Sequence, residues 1–393
     1  MNTNLLQVAP SIIDTIKRQM NAEQVIRLEL IQSLWSGYGE LFRVYLSGSN
    51  TPSVIVKHIK LPTQYAKACV SEGSINKDNL IEEVHIDDSL PNSVHPKGWN
   101  TSLSHQRKLK SYQVEVNWYQ AYANELSALG SRDNNADKLD LSTLGDNANS
   151  PVPRCLYVEQ TSNETLLILE DLHTLGFNQV LKHANYTAIS ACLKWLGHFH
   201  GRYMFINKVS SLPRENEQYQ DLWQQGGYWH LSTRPDELAA LSDLRLKNAA
   251  SLLDKALSEC QYQTLIHGDA KLANFCFSEN HQHAAAVDFQ YIGKGCGMKD
   301  VALFLSSVLS FKESAAQINA YLDEYFASLT TSLSKHHPTL DSNQVIQTWR
   351  PLYAIAWADF QRFIKGWSPV HQKINHYTEA LTAQALNFIE TKR

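Results

Sequence analysis

The stretch LIHGDAKLANFCF at residues 265–277, with AAAVDFQ at residues 284–290, is the most informative part of this chain for its fold. An apolar strand end runs into His267-Gly268-Asp269, and the apolar residues on either side of the following polar turn predict a β-hairpin. Asn274 precedes the first strand of this hairpin and Asp288 ends the second. Because the two open ends of an antiparallel pair are neighbours, the hairpin should bring Asn274 and Asp288 together.

The residue types at these positions indicate a chemistry. An amide oxygen from Asn274 and a carboxylate from Asp288 are hard oxygen ligands that suit magnesium. Asp269 would lie beside them, where it could accept a proton or orient a hydroxyl group. Phosphoryl transfer requires such a positioned nucleophile and a cation that neutralises charge on the phosphates. The alternative is an ordinary turn followed by a capped strand, and the full spacing favours the functional interpretation.

These residues resemble the kinase-like phosphotransferases, in the branch that contains aminoglycoside phosphotransferases, choline kinases and ecdysteroid-kinase-like proteins. His267-Gly268-Asp269 with Asn274 is similar to the catalytic loop of that branch, and Asp288-Phe289-Gln290 to its metal-binding motif. The resemblance implies ATP and Mg²⁺ as cofactors, with Asp269, Lys271 and Asn274 as catalytic residues and Asn274 and Asp288 as metal ligands. It also implies that Lys271 contacts the transferred phosphate.

The resemblance further implies an α+β, two-lobed protein-kinase-like fold. We expect a small antiparallel-sheet N-terminal lobe over residues 1–170 that binds the nucleotide, and a larger, mostly helical C-terminal lobe over 171–393 that carries catalysis and the acceptor. Strand-like patterns lie near residues 26–30, 41–46, 53–59, 155–159 and 165–170. Residues 105–129 show helical spacing, residues 131–150 are typical of a loop, and residues 61–104 give no assignment.

Lys57 follows three apolar residues on the third predicted strand. The resemblance implies that it contacts the α- and β-phosphates of ATP, whereas a lysine on an edge strand can also merely prevent aggregation. Its expected carboxylate partner is Glu115, with Glu125 as the alternative. Either glutamate could instead be a solvated charge on the helix surface.

Further nucleotide contacts are expected at two turns. Gly37 and Gly39 allow backbone N–H groups to approach phosphates closely, although a plain hairpin turn explains them as well. Residues 167–172 are similar to the hinge of the family, so adenine would pair with backbone groups around Glu170 and Leu172.

The sequence gives less information about the residues that would bind the acceptor molecule. Aromatic and acidic residues could line a pocket for a cationic alcohol through cation–π and charge pairing, or could equally be core: Trp357, Asp359, Trp367 and the pair Tyr228-Trp229. Asp300 matches an aspartate that supports the catalytic loop in this branch, or it caps the following helix. His198 and His200 point to different helix faces, which favours packing or hydrogen bonding over metal binding.

Composition limits the other function classes. The 393 residues carry a formal net charge of -4 and 43% hydrophobic residues, which argues against a general nucleic-acid binder and against disorder. No apolar run approaches the length of a membrane span, and no secretory signal starts the chain. The six cysteines form neither a disulfide framework nor a zinc motif, so we expect a cytoplasmic protein.

The predicted function is an ATP-dependent phosphotransferase, a small-molecule kinase that moves the γ-phosphoryl group to a hydroxyl of an amino alcohol, sugar, aminoglycoside or sterol-like acceptor. The alternative is a catalytically silent kinase-like module that binds a nucleotide or a partner protein. A protein kinase fits less well, because the loop is His-Gly-Asp rather than His-Arg-Asp and no glycine follows Asp288-Phe289.

Overall fold

A computed structural model describes residues 8–34, 37–60, 102–126, 150–206 and 218–391. These residues form two compact units. The sheet unit comprises the described residues up to 60 together with Arg154–Thr174, and the helical unit comprises residues 102 to Pro153 and Leu175 onward. The predicted α+β class, with an antiparallel sheet in the N-terminal region and a mostly helical C-terminal region, is confirmed.

The sheet unit is built on five antiparallel strands in the order β1-β2-β3-β5-β4. All five lie where the apolar patterns predicted strands, and their bounds are β1 Gln24–Ser33, β2 Gly39–Ser47, β3 Ser53–Lys60, β4 Cys155–Gln160 and β5 Glu164–Glu170. Phe42 and Val54, on neighbouring strands, pack against Ile12 and Ile16 of helix α1 (Pro10–Gln19). Each such buried side chain stabilises the unit by about 1.5–3 kcal/mol.

The helical unit consists of helices with short strands at its centre. The helices are α2 Ser102–Ala121, α3 Tyr186–Arg202, α4 Pro235–Ala240, α5 Leu244–Ser258, α6 Met298–Val308, α7 Ala315–His336, α8 Ser342–Trp349, α9 Leu352–Trp367 and α10 His376–Thr391. Two small sheets lie among them, formed by β6 Phe205–Ile206, β7 Tyr262–Ile266 and β10 Gly293–Gly295, and by β8 Phe275–Phe277 with β9 Ala284–Ala286. The predicted hairpin is therefore confirmed as β8–β9.

Several expectations concern residues outside the described ranges. The helix predicted over 105–129 is observed as α2, which ends at Ala121 before a short 3-10 turn over 123–125. The rest of that prediction, the loop at 131–149, residues 61–101 and Ser36 lie outside the described residues. The lobe boundary at residue 170 stays a prediction; helix α2 itself groups with the helical unit. Among the described helices, none has the length and apolarity needed to cross a membrane.

Candidate active site

The loop that follows β7 turns sharply at Gly268, which adopts a φ of +77°. A Cβ atom at this position would lie 2.0 Å from the carbonyl oxygen of Tyr291 and 2.8 Å from the nitrogen of Gly227. Glycine is thus required here both by the left-handed backbone and by the close approach of two other segments. The turn directs Asp269 out of the end of strand β7.

The side chain of Asp300 holds this loop through hydrogen bonds to its backbone. Its buried carboxylate accepts hydrogen bonds from the backbone nitrogens of His267 (2.5 Å) and Gly268 (2.9 Å). Helix α6 has Gly297 as its N-cap, so Asp300 lies in the first turn and its side chain supports the loop. Of the two interpretations left open by the sequence, loop support is confirmed and capping by Asp300 is wrong.

His200 extends the same network. Its Nε2 lies 3.2 Å from an oxygen of Asp300 and its Nδ1 lies 2.9 Å from the hydroxyl of Tyr325. Both ring nitrogens are used within a fully buried site. His200 is therefore a hydrogen-bonded core histidine, as the sequence predicted.

The ring of His267 links the loop to the end of the hairpin. Its Nε2 donates to the carbonyl oxygen of Val287 at 3.0 Å, and since a carbonyl can only accept, Nδ1 is left as the acceptor for the Asp269 backbone N–H at 3.3 Å. Phe289 packs against the His267 ring with centroids 4.5 Å apart and stacks on Trp118 of α2. The residues that flank Asp288 are thereby anchored in the core.

Asp269 has one satisfied and one unsatisfied carboxylate oxygen. Oδ2 accepts from Lys271 Nζ at 2.7 Å and from Asn274 Nδ2 at 3.1 Å. Oδ1 is buried and has no hydrogen-bond partner among the described residues. Burial raises the pKa of Asp269, the charge of Asp288 adds to this, and the ammonium of Lys271 opposes it. A buried acceptor without a donor is unfavourable in the folded protein alone and points to a ligand donor.

The hairpin brings Asn274 and Asp288 close, as predicted. The backbone nitrogen of Val287 donates to the carbonyl oxygen of Asn274 at 3.0 Å, next to the pairing of β8 with β9. The amide nitrogen of Asn274 donates to the backbone carbonyl and to Oδ2 of Asp269, so its amide oxygen Oδ1 is the atom that could bind a metal ion. One amide oxygen and one carboxylate fit magnesium, which keeps waters and phosphate oxygens as its other ligands.

Sequence reasoning missed the support of Asp288 from helix α2. Gln290 donates through Nε2 to Asp288 Oδ1 at 2.6 Å. The Oε1 of Gln290 in turn accepts from Lys108 Nζ at 2.9 Å and Ser111 Oγ at 3.3 Å. These contacts orient the carboxylate, but nothing in the local pattern of α2 signals them, because they depend on how the helix packs.

Three of the predicted nucleotide residues lie in the sheet unit near the β1–β2 turn. Lys57 is buried on β3 and pairs in register with Leu41 and Leu167 on the two flanking strands, so it is not on an edge strand. Gly37 and Gly39 have φ of +71° and +136°, and a Cβ on Gly39 would lie 1.9 Å from the carbonyl oxygen of His58. The turn therefore needs Gly39 for packing of its own strands.

The predicted hinge lies in the sheet unit, and the two candidate glutamates lie in the helical unit. Glu170 binds Arg154 through its carboxylate (2.9 Å), and its backbone nitrogen donates to the Arg154 carbonyl. Leu172 is buried at the start of a short turn. In the helical unit Glu115 is buried on α2, whereas Glu125 is exposed and lies 3.7 Å from Arg202. Burial favours Glu115, and its pairing with Lys57 stays a prediction.

Three of the residues considered for an acceptor pocket, Trp229, Trp357 and Asp359, are buried in the core, whereas Tyr228 and Trp367 are half-buried and pack against it. Trp229 and Trp357 are fully buried, and Asp359 forms an ion pair with Arg362 at 2.8 Å. Trp229 Nε1 donates to the other oxygen of Asp359 at 3.0 Å. Burial alone would raise the pKa of Asp359, but Arg362 and Lys299 outweigh it and lower the pKa. The charge of Asp359 is thus already compensated by groups of the protein itself.

The chain is similar to a known family of enzymes. Residues 141–336 match the model of the phosphotransferase enzyme family, which confirms the resemblance seen in the sequence. No match was found among curated protein sequences.

Solved structures with a similar fold include three bacterial proteins. A putative aminoglycoside phosphotransferase from Ralstonia eutropha is 12% identical, with a TM-score of 0.45 over 98% of this chain and 97% of that one. An aminoglycoside phosphotransferase from Streptomyces rimosus, in complex with ADP and streptomycin, is 11% identical, with a TM-score of 0.40 over 88% and 99%. A putative fructosamine-3-kinase from Haemophilus somnus is 11% identical, with a TM-score of 0.37 over 96% and 96%.

Proposed function

We propose that this chain, in which residues 141–336 match the phosphotransferase family, transfers the γ-phosphoryl group of ATP to a hydroxyl of a small molecule. The observation that carries the proposal is the unpartnered, buried Oδ1 of Asp269. It lies on a loop that Asp300 holds by two backbone hydrogen bonds, so its position is fixed before any ligand binds.

In this mechanism Asp269 Oδ1 accepts the hydrogen bond of the acceptor hydroxyl and takes its proton as the oxygen attacks the γ-phosphorus, while the bond from that phosphorus to the bridging oxygen breaks and ADP leaves. A carboxylate in this role contributes about 10²–10⁴-fold to the rate. Lys271 holds the other carboxylate oxygen at 2.7 Å and can share its ammonium with the transferred phosphoryl group. Asn274 fixes the carboxylate from the second side, which limits rotation of Asp269.

Asn274 and Asp288 would hold Mg²⁺, which when bound neutralises charge on the phosphate oxygens. Gln290 keeps Asp288 Oδ1 in place through its 2.6 Å hydrogen bond. In the sheet unit Lys57, with Gly37 and Gly39, would contact the phosphates. Backbone groups around Glu170 and Leu172 would contact adenine, with Glu115 as the carboxylate partner of Lys57.

The test is the Asp269→Asn variant, with Asp236→Asn, an exposed aspartate on α4, as the matched control. We expect ATP consumption with the best acceptor from a screen of amino alcohols, sugars, aminoglycosides and hydroxylated sterol-like compounds to fall by about 10²-fold or more in the first variant alone. Equal phosphate transfer by the variant and the parent would show that the assignment of Asp269 is wrong. ATP-dependent thermal stabilisation with no turnover of any acceptor would favour the silent binding module.

A further inference from the structure

A second cationic side chain lies near the catalytic loop without a role in the mechanism above. Lys373 belongs to the loop between α9 and α10. Its Nζ donates to Ser306 Oγ at 2.9 Å and lies 5.3 Å from the ring centroid of Phe360. Ser306 is buried on α6, the helix that also carries Asp300.

The neighbour of Ser306 connects this lysine to the catalytic loop. Ser307 Oγ accepts a hydrogen bond from the backbone nitrogen of Leu272 at 3.0 Å. Lys373 is therefore attached to the same turn of α6 that supports the segment between Asp269 and Asn274. Its Nζ is thereby held at helix α6, close to the catalytic loop.

The ammonium of Lys373 has no ion-pair partner among the described residues. Among the described residues, no carboxylate lies within 4.0 Å of its Nζ. Lys365, on α9, shows the contrast, because it lies 2.9 Å from Asp243 and 2.8 Å from Glu379. A partly buried ammonium that binds only a neutral hydroxyl and a ring is unfavourable unless an anion joins it.

Burial lowers the pKa of Lys373 to about 8, with Asp269 opposing this and Lys271 adding to it. The ammonium is thus within electrostatic range of both members of the catalytic pair. At neutral pH it is still mainly protonated, so it adds a positive charge beside the reacting groups.

The aromatic side chains near Lys373 include two tyrosines, Tyr228 and Tyr291, whose hydroxyls could donate hydrogen bonds to an anionic ligand. The ring of Tyr228 lies between Phe360 and Tyr291, with centroid distances of 6.4 Å and 5.9 Å. Burial raises the pKa of Tyr291, and the charges of Arg234, Asp269 and Arg107 act on it as well. Both tyrosines would thus be neutral hydrogen-bond donors beside Asp269.

We propose that Lys373 binds an anionic oxygen of a small molecule beside Asp269, and that the acceptor is a hydroxyl compound with a carboxylate or phosphate group. This inference rests on the proposed phosphotransfer. The γ-phosphoryl group of ATP offers the same chemistry, so the experiment must separate the two sources. A cationic acceptor such as an amino alcohol would be disfavoured next to Lys271 and Lys373.

The test measures the rate at which an amine-acylating reagent modifies Lys373 in the full-length protein at pH 8, by mass spectrometry of its peptide. The probes are Mg-ATP and Mg-ADP alone, then Mg-ADP with inorganic phosphate, D-glycerate, glycerol or 3-amino-1,2-propanediol. A bound anion should slow the modification by about tenfold at ten times its dissociation constant. Lys365 in the same digest is the matched control and should not change.

Each outcome has one meaning. Protection by Mg-ATP, or by inorganic phosphate with Mg-ADP, without protection by D-glycerate assigns Lys373 to the γ-phosphoryl group and overturns its assignment to the acceptor, whereas protection by D-glycerate in the presence of Mg-ADP assigns it to an acidic group of the acceptor. If no anion protects Lys373, or if glycerol and the aminodiol protect it equally well, the inference is overturned. Thermal stabilisation by Mg-ATP is recorded in parallel, so that loss of nucleotide binding, which would count against the proposed function, is distinguished from failure of Lys373 alone.

Discussion

Replacing Gly268 by alanine should separate the two reasons for a glycine in the catalytic loop, and Gly37→Ala is the matched control. The two residues have nearly the same φ, +77° and +71°. A Cβ on Gly37 meets nothing within 4 Å, whereas a Cβ on Gly268 meets the Tyr291 carbonyl oxygen at 2.0 Å. The control therefore measures the backbone conformation alone.

The magnitude follows from these contacts. A left-handed conformation at a residue with a side chain costs about 1–2 kcal/mol, and both variants should lose this much stability. In Gly268→Ala the loop must also move by about 1.4 Å to restore an ordinary 3.4 Å contact. Such a shift breaks at least one charge-assisted bond from the backbone to Asp300, worth about 1.5–3 kcal/mol.

We therefore expect Gly268→Ala to be less stable than Gly37→Ala by about 2–3 kcal/mol, and to lose most of its kcat because Asp269 moves with the loop. The assay is urea unfolding followed by circular dichroism, which reports both the strands of the sheet unit that contains Gly37 and the helices of the unit that contains Gly268. Equal unfolding midpoints and slopes for the two variants would refute the argument from close approach.

Two other results are expected. Asp359→Ala should lower the free energy of unfolding by about 3–5 kcal/mol, because it leaves the buried Arg362 guanidinium without its carboxylate partner. The double variant with Arg362→Met should recover much of this loss. Urea unfolding measures both, and additive losses would contradict the pairing. The acylation rate of Lys373 should rise with a midpoint near pH 8, since the ammonium is protected below its lowered pKa and the neutral amine reacts above it. Burial lowers the pKa of Lys365 but Glu379 and Asp243 outweigh it and raise the pKa, so coincident pH profiles for the two lysines would be the contrary result.

The local sequence pattern was sufficient to predict the strands and the hairpin that carry the proposed site residues. The strands of the sheet unit were predictable because short runs rich in apolar and β-branched residues are separated by turn residues. The β8–β9 hairpin was predictable because a polar turn separates two short apolar runs, and its pairing then required Asn274 and Asp288 to be neighbours.

The surroundings of the reacting groups could not be predicted in the same way. Trp357 and Asp359 are residue types that fit a binding pocket, and only the tertiary structure identifies them as core, because Trp357 is fully buried and Asp359 binds Arg362 and Trp229. Lys373 lies in a loop without periodicity, and its proximity to α6 depends on how α9 and α10 end. Tertiary contacts of this kind leave no signal in the spacing of residues.

Asp288 has a φ of +68°, in the left-handed region of backbone conformations. This conformation is unfavourable for residues with a side chain, although Asp and Asn adopt it more often than most. Glycine would adopt it freely, so retaining an aspartate costs the folded protein about 1 kcal/mol. The same backbone angle turns the side chain out of the strand direction just beyond β9, where Gln290 binds it. The aspartate therefore lowers the stability of the fold slightly, and the proposed metal site would account for a carboxylate, with its own supporting amide, at this position.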